Sequence, residues 1–394
     1  MATNTLLTSQ VITNELLRRF KNNLGFAGAV SHTWDDKFAV TGAKIGYTLR
    51  LRDPVRFVAQ VGPVLTPQNV TETNKVLTLT TQAVVGFSFS SADLTTSIDN
   101  FAARYLDSAA IALANKVDVD GITMAVQNTA NMVGTPGTPI TTLGPFWTAG
   151  ETLDSNSAPM DGRRTFCFPP KTQTAALTAA QGLFQSSSQI ARQYERGRMG
   201  VMGGFEWVMD QNNLNFTGGT SATVTVTTAN QTGSSLAVAG TPINFVAGDV
   251  FTIPNVFGVN PVSGNPKVDL QHFVVTANAT TSPISIYPPL QVTMPGATVS
   301  ALPAAGAPLT ILTPNTPLSP TALAFHEDAY VIGMAPLEVP KNIQFGANQQ
   351  DPDTGCAIRM VSMYDIINDL FVTRCDVLYG WAATRPEWGC RVVS

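Results

Sequence analysis

Between positions 211 and 317 the chain carries only three charged residues, Asp249, Lys267 and Asp269, amid Thr-Val-Thr-Val runs and Gly, Pro and Asn turn signals. Short alternating segments with regular turn signals predict several strands folded as an all-β barrel or sandwich. Helix-forming patterns lie on both sides of this block. It therefore reads as a β domain inserted into an α+β chain.

The rest of the composition points the same way. The 394 residues suffice for two or three domains and a sizeable core. Charged residues are 13% and hydrophobic ones 44%, against about 25% charged in ordinary globular chains. A surface this poor in charge is hard to keep soluble unless neighbours cover it. That favours a polymerising protein over a solitary enzyme. The net charge is −4, and the densest basic groups, Arg18–Arg19–Lys21, Arg163–Arg164 and Arg192–Arg196–Arg198, are small. Phosphate neutralisation needs clustered cations, so any DNA contact is expected to be weak and sequence-blind. Cys167, Cys356, Cys375 and Cys390 are widely spaced without Cys-x-x-Cys pairs. No signal-like start and no apolar run near the ~18 residues of a membrane helix are present. The expected setting is reducing cytoplasm, with free thiols and no membrane.

Along the chain, Leu6, Ile12, Leu16, Leu17 and Phe20 predict an amphipathic helix over 5–24, with Glu15 and Arg18 on its polar side. Residues 43–89 alternate instead: Ile45, Tyr47, Leu49 and Leu51, then Leu77, Leu79, Val85, Phe87 and Phe89. Joined near Pro63 and Pro67, these runs predict a long antiparallel hairpin. Such a hairpin is marginal alone and should lie on another surface. Ser90, Ser91 and Asp93 then suit a helix start. Leu94, Ile98, Phe101, Tyr105, Ala109, Ala112 and Leu113 give an apolar stripe for a helix over 92–118, about 40 Å long at 1.5 Å per residue. Its continuation to about 131 is open. A second helix is expected over 172–196, ended by a glycine-rich flexible loop at 196–204. A helix is also expected at 322–330 after Ser319-Pro320-Thr321, and a helix or turn near 364–369. Phe371–Tyr379 and Ala382–Val393 read as two strands of one sheet.

The residues that would carry catalysis do not assemble into a motif. His32, His272 and His326 stand alone, with no spacing for a metal site. Gly197, Gly200, Gly203 and Gly204 lack the Gly-Lys-Ser/Thr ending of a phosphate loop. Asp118-Val-Asp120-Gly121 and Asp351-Pro-Asp353-Thr-Gly355 lack the remaining ligands of a calcium loop; they read as a helix end and a turn. No catalytic, cofactor-binding or metal residue is assigned, and the chain is not read as an enzyme.

Several ordered segments resemble the major coat protein of short-tailed phages of the Salmonella podovirus type. They include Ala247-Gly-Asp-Val-Phe-Thr-Ile253, Leu270-Gln-His-Phe-Val-Val275, Thr321-Ala-Leu-Ala-Phe-His326, Asp376-Val-Leu-Tyr-Gly380 and Arg385-Pro-Glu-Trp388. The resemblance implies a tailed-phage major capsid fold of α+β class. Its expected parts are an N-terminal arm (1–42) and an extended hairpin loop (43–89). A peripheral domain with a spine helix follows (90–131 and 371–394), then an axial domain (132–210 and 318–370) and the inserted β-barrel (211–317). Pro254-Asn255 is expected to interrupt a strand of that insert.

By the same resemblance, pentamers and hexamers of this chain would close into an icosahedral head around packaged double-stranded DNA. A scaffolding protein and a portal protein are the implied partners, and a cement or decoration protein is a further candidate. Glu15, Arg18 and Arg19 are the candidate scaffolding contacts. Arg50, Arg52 and Arg56, on the basic side of the hairpin, are the candidate contacts to a neighbouring subunit. The alternatives are an encapsulin-type nanocompartment shell protein, or a phage decoration or tail protein.

Overall fold

The computed structural model describes residues 9–32, 48–52, 57, 62, 67, 74–90, 101–179, 200–213, 215–313, 315, 319–341, 343–351 and 354–394. Helix α1 (Ser9–Asn22) and a 3-10 turn (Ala27–Ala29) precede strands β1 (Thr48–Arg52), β2 (Asn74–Thr78) and β3 (Thr81–Ser90). Helix α2 (Phe101–Asn128) leads to β4 (Met132–Val133), α3 (Gly144–Ser155), β5 (Arg164–Phe168), α4 (Pro170–Ala179), β6 (Val201–Met202) and β7 (Phe205–Met209). The next stretch is strand throughout: β8 (Asn215–Phe216), β9 (Val224–Val226), β10 (Gly233–Leu236), β11 (Val238–Gly240), β12 (Val250–Val259), β13 (Pro266–Val275), β14 (Ile284–Leu290) and β15 (Thr310–Ile311). The chain continues through β16 (Ser319–His326), β17 (Tyr330–Ala335), β18 (Phe345–Gln350), β19 (Ala357–Asp365), β20 (Leu370–Ala383) and β21 (Gly389–Val393). Two compact units result, one from 1–51, 74–121 and 331–382, the other from 52–73, 122–330 and 383–394.

In the first unit β17, β20, β19 and β18 form a sheet in that order, and β3 also pairs with β20. The β3–β20 ladder runs antiparallel from Leu370↔Ser90 to Tyr379↔Thr81. The alternation at Val85, Phe87 and Phe89 therefore belongs to this sheet, whereas the sequence placed it on the return arm of the hairpin. Strand β20 offers a long row of backbone donors and acceptors, and β3 satisfies them. Strand β1 pairs with β2. Helix α1 packs its buried Leu16, Leu17 and Phe20 on β18 and β19. The segment expected as a helix or turn near 364–369 is the turn between β19 and β20, with Asp369 at φ 52°.

Helix α2 buries Leu106, Ala109, Ala110, Leu113, Ala114 and Val117. This stripe is turned by about one residue from the one expected, which ran through Tyr105 and Ala112. Both of those are exposed. The small alanines permit close packing, while Tyr105 sits at the edge against the Phe89 ring at 4.9 Å. The helix also runs through Asp118-Val-Asp120-Gly121, so that motif is mid-helix and not a helix end. Glycine is unfavourable inside a helix by about 1 kcal/mol. Here a Cβ on Gly121 would lie 2.4 Å from the Trp381 ring, so the close approach requires it. Residues 91–100, with the expected helix start, lie outside the described residues.

The second unit holds a sheet in the order β4-β21-β16-β5-β7-β6, with β8 also beside β16. Residues 321–326 are fully buried, with β21 on one side and β5 on the other. This strand replaces the helix expected at 322–330. An apolar run without periodicity suits a central strand as well as a helix, and the two ladder partners decide it. The two terminal segments expected to share a sheet also part company. Strand β20 stays in the first unit, and after the 3-10 turn at Pro386–Trp388 β21 joins this sheet. The glycine-rich loop ends in a tight β6–β7 turn, with Gly203 and Gly204 at positive φ. Helix α4 forms the start of the helix expected over 172–196; residues 180–199 lie outside the described residues.

The low-charge block is all β. Strands β10-β14-β13-β12-β15 form one sheet and β9 pairs with β11. Together they surround a core of their own that includes Phe245, Phe251, Phe273, Ile253 and Ile286. Pro254-Asn255 bulges β12 without ending it: Thr252 faces His272, the next pair is Phe257↔Leu270, and Asn255 takes φ 63°.

Candidate assembly surfaces

The N-terminal helix presents a polar edge above its buried face. Glu15 accepts hydrogen bonds from Arg18 Nε and Nη2 (2.9 and 2.6 Å) and from Arg19 Nε (2.8 Å). Arg18 first and Arg19 second hold the Glu15 carboxyl down at about 2. Arg19 also pairs with Asp107 on α2. The three candidate scaffolding residues thus form one cluster, but they differ in availability. The Arg18 side chain is 61% exposed and Arg19 only 23%. The apolar face of this helix is covered by the chain's own β18–β19. A contact from this helix would therefore have to use the polar edge.

The segment after the helix is anchored by a residue that sequence reasoning had set aside. Asp118, 1% exposed, accepts the backbone N–H of Gly25 and of Ala27, both at 2.8 Å. The ring of Phe26 lies 5.6 Å from that of Trp381. Lys21 adds a salt bridge of 2.5 Å to Asp351.

On the hairpin, Leu49 and Leu51 pack against Leu77 and Val331 of the same chain. Arg50 points the other way and is exposed. Arg52 closes β1, with its side chain outside the described residues, as is Arg56. Arg50 alternates with Leu49 and Leu51 along β1. The sheet behind them is held by Asp376, fully buried, which accepts from Arg359 (2.9 and 2.5 Å), Arg374 (3.0 Å) and Gln82 (2.7 Å).

The β19–β20 turn carries the most exposed apolar pair among the described residues of this unit, Ile366 (83%) and Ile367 (92%). Its backbone is braced: Asp365 accepts the Ile367 N–H (2.9 Å) and Asn368 Nδ2 (2.7 Å), and Tyr364 donates to Asp369 (2.7 Å). The braced turn holds its apolar tip out to solvent. Consecutive isoleucines in a turn were the available signal for it in the sequence.

Among the described residues no group of three or more His, Cys, Asp or Glu could hold a metal ion, and no helix is long and apolar enough to cross a membrane. His326 is buried in a structural setting, with Nε2 3.1 Å from Asp161 Oδ1 and its ring edge-on to Trp388 at 5.4 Å.

The family model described as P22 coat protein, gene protein 5, matches residues 1–393. The chain belongs to this coat protein family. It is a structural major capsid protein of a phage, and it forms an icosahedral head. No curated protein matches the sequence. Similar solved structures include one described as Mycobacterium phage Che8, at 12% identity and TM-score 0.49, covering 93% of this chain and 90% of that one. The capsid of Ralstonia phage GP4 is similar at 8% identity and TM-score 0.48 (90% and 85%), and the capsid structure of cyanophage P-SCSP1u at 13% and 0.45 (88% and 83%). The family match over 1–393 carries the assignment.

In this coat protein the β region is joined to the seven-stranded sheet by an apolar seam and polar ties. Val250 and Val274 pack with Ala130, Met132 and Val393. Tyr287 donates to Glu387 (2.6 Å), Lys267 Nζ to Asn156 Oδ1 (2.6 Å), and the Met132 N–H to His272 Nδ1 (3.2 Å). Burial pulls Lys267 down to about 8 and His272 down to about 4. Within 211–317, Asp249 and Lys267 both serve this seam or the turn beside it.

Proposed function

We propose that this coat protein assembles as pentamers and hexamers around a scaffolding protein, with a portal protein in the shell, in the host bacterial cytoplasm. The closed head then encloses double-stranded DNA through weak non-specific contact. The role is structural, without catalysis. A cement or decoration protein is a further candidate partner. The observation that carries the scaffolding part is the exposure of Arg18 on a helix whose apolar face is already covered within the chain. A partner at this helix meets charge, so acidic or mixed-charge surface is its expected chemistry.

Contact to a neighbouring subunit falls to the hairpin arginines Arg50, Arg52 and Arg56 and to the Ile366–Ile367 turn. The proposed parts are the arm at 1–42, the hairpin loop at 43–89, the peripheral domain at 90–131 and 371–394, the axial domain at 132–210 and 318–370, and the insert at 211–317. Co-expression with the scaffolding protein, read by negative-stain microscopy, tests the reading. Wild-type chain should give closed shells of one size. Arg18→Glu should lose scaffold-dependent closure, and Arg50→Glu with Arg52→Glu should leave folded, unassembled chain. Normal shells from both variants would refute these contacts.

A further inference from the structure

Arg391, on β21, is the largest fully buried side chain among the described residues, at 1% exposure. Its guanidinium Nε and Nη2 have no hydrogen-bond partner among the described residues. Burial draws it down to about 10, with Tyr330, Asp249 and Cys390 opposing, so it stays charged at neutral pH. A buried charged fork left unbonded is strongly unfavourable. Nε and Nη2 form the edge of the guanidinium that bonds two acceptors, or one acceptor twice.

Arg391 helps line a small cavity of ≈ 10 Å³ at the seam, together with Phe216, Gly218, Thr313, Thr321 and Val393, among others. Three of these belong to the β region or the strand leading into it. The Phe216 ring lies 5.6 Å from the guanidinium carbon. Thr313 Oγ1 donates to Asp249 Oδ1 (3.1 Å) and accepts the Val250 N–H (3.0 Å), which leaves the hydroxyl one lone pair. Asp249 itself, buried, also accepts from Gly219 (3.1 and 3.1 Å) and Val246 (2.8 Å).

We propose that this cavity is a built solvent site, holding one ordered water that bonds Arg391 Nε and Nη2 on the sheet side and Thr313 Oγ1 on the β-region side. Arg391, water, Thr313 and Asp249 then form a water-mediated ion pair that latches the β region to the sheet. Size selects the occupant: a cavity of about 10–15 Å³ holds one water, whereas a carboxylate or phosphate needs several times that volume. Charge selects it again. Asp249 already balances Arg391, so a halide would leave an excess negative charge buried. A bridging water is nearly as good as a direct bond and tolerates small shifts of the two elements it joins. The inference rests on the fold alone, so it stands or falls separately from the scaffolding contacts.

The test is a map of the assembled wild-type shell at a resolution that shows ordered solvent. One peak within ~3.2 Å of both nitrogens and of Thr313 Oγ1 is expected. An empty cavity overturns the proposal, as does a peak that scatters anomalously after chloride is exchanged for bromide. A double-mutant cycle with Thr313→Val and Arg391→Lys gives an independent reading by chemical denaturation. Each single variant should raise the unfolding constant of the second unit about tenfold. The pair should fall short of the product by at least about fivefold, because both remove the same bridge. Strict multiplicativity refutes the bridge. If Arg391→Lys fails to fold, the map remains decisive.

Discussion

Asp118→Ala should release the segment after α1 while leaving the second unit intact. Two backbone donors, the N–H groups of Gly25 and Ala27, each lose a side-chain oxygen acceptor at 2.8 Å. A buried donor left unbonded costs about 1–3 kcal/mol. The Ala27 site is buried, whereas the Gly25 site is partly reached by solvent, which places their sum near ~3 kcal/mol on that scale. Alanine is the better helix former by about half a kcal/mol, so the net loss is about 2.5 kcal/mol, between fifty- and a hundredfold in the constant for local opening. Native-state hydrogen exchange reads this directly. The amides of Gly25 and Ala27 should lose protection by that factor, while amides of the buried strand β16 stay unchanged. Asp118→Asn keeps one oxygen acceptor and should lose about half as much on the energy scale. If Asp118→Ala changes protection of both amides by less than about threefold, the carboxylate is not the anchor. Equal loss at β16 would mean global destabilisation and would also refute the local reading.

Three further outcomes are expected. Lys267 is held at about 8 in the folded chain against about 10.5 unfolded, so the unfolded state binds more protons between those values and stability should rise with pH from about 8 to 10.5. The gain is at most about 3 kcal/mol and smaller once residual solvent screening is counted; Lys267→Met should abolish the rise, and an unchanged pH profile in that variant would refute it. The four cysteines are all buried, and burial pushes Cys375 and Cys390 up to about 12; a thiol reagent at pH 8 should label none of them in the native chain and all four after denaturation, so rapid native labelling would contradict the packing. Gly121→Ala should destabilise the first unit by about 1–3 kcal/mol despite the better helix propensity, because its Cβ meets the Trp381 ring at 2.4 Å; a stabilised variant in thermal unfolding would show that the ring can move aside.

Elements with strong local patterns were legible. The α1 face, the β character of 211–317 and the existence of α2 all followed from periodicity and turn chemistry. What failed was decided by distant partners. Residues 322–330 read as a helix until β5 and β21 flank them. Residues 81–90 read as a hairpin arm until β20 claims their backbone groups. The α2 stripe was mis-set by one position because Tyr105 counts as apolar in a pattern, yet its ring stops at the edge of the packing. Asp118 illustrates the limit most clearly. In the sequence it looked like half of an abandoned calcium motif, and only the fold brings Gly25 and Ala27 to it.

The low charge content narrows where partner contacts can be sought. In a chain with 13% charged residues, the fold places Asp118, Asp249, Asp376 and Arg391 in the interior, where breaking a pair costs about 3–5 kcal/mol. Such residues cannot be lent to a neighbour. Arg19 is nearly as occupied, with Glu15 and Asp107 both on it and little exposure. Arg18 differs. Its bond to Glu15 is an exposed i,i+3 pair, which solvent screening keeps weak. A partner carboxylate can therefore displace Glu15 at little cost, and Glu15 keeps Arg19 as its counter-charge. Within the cluster, Arg18 is the residue whose reversal should be felt by a partner and not by the fold.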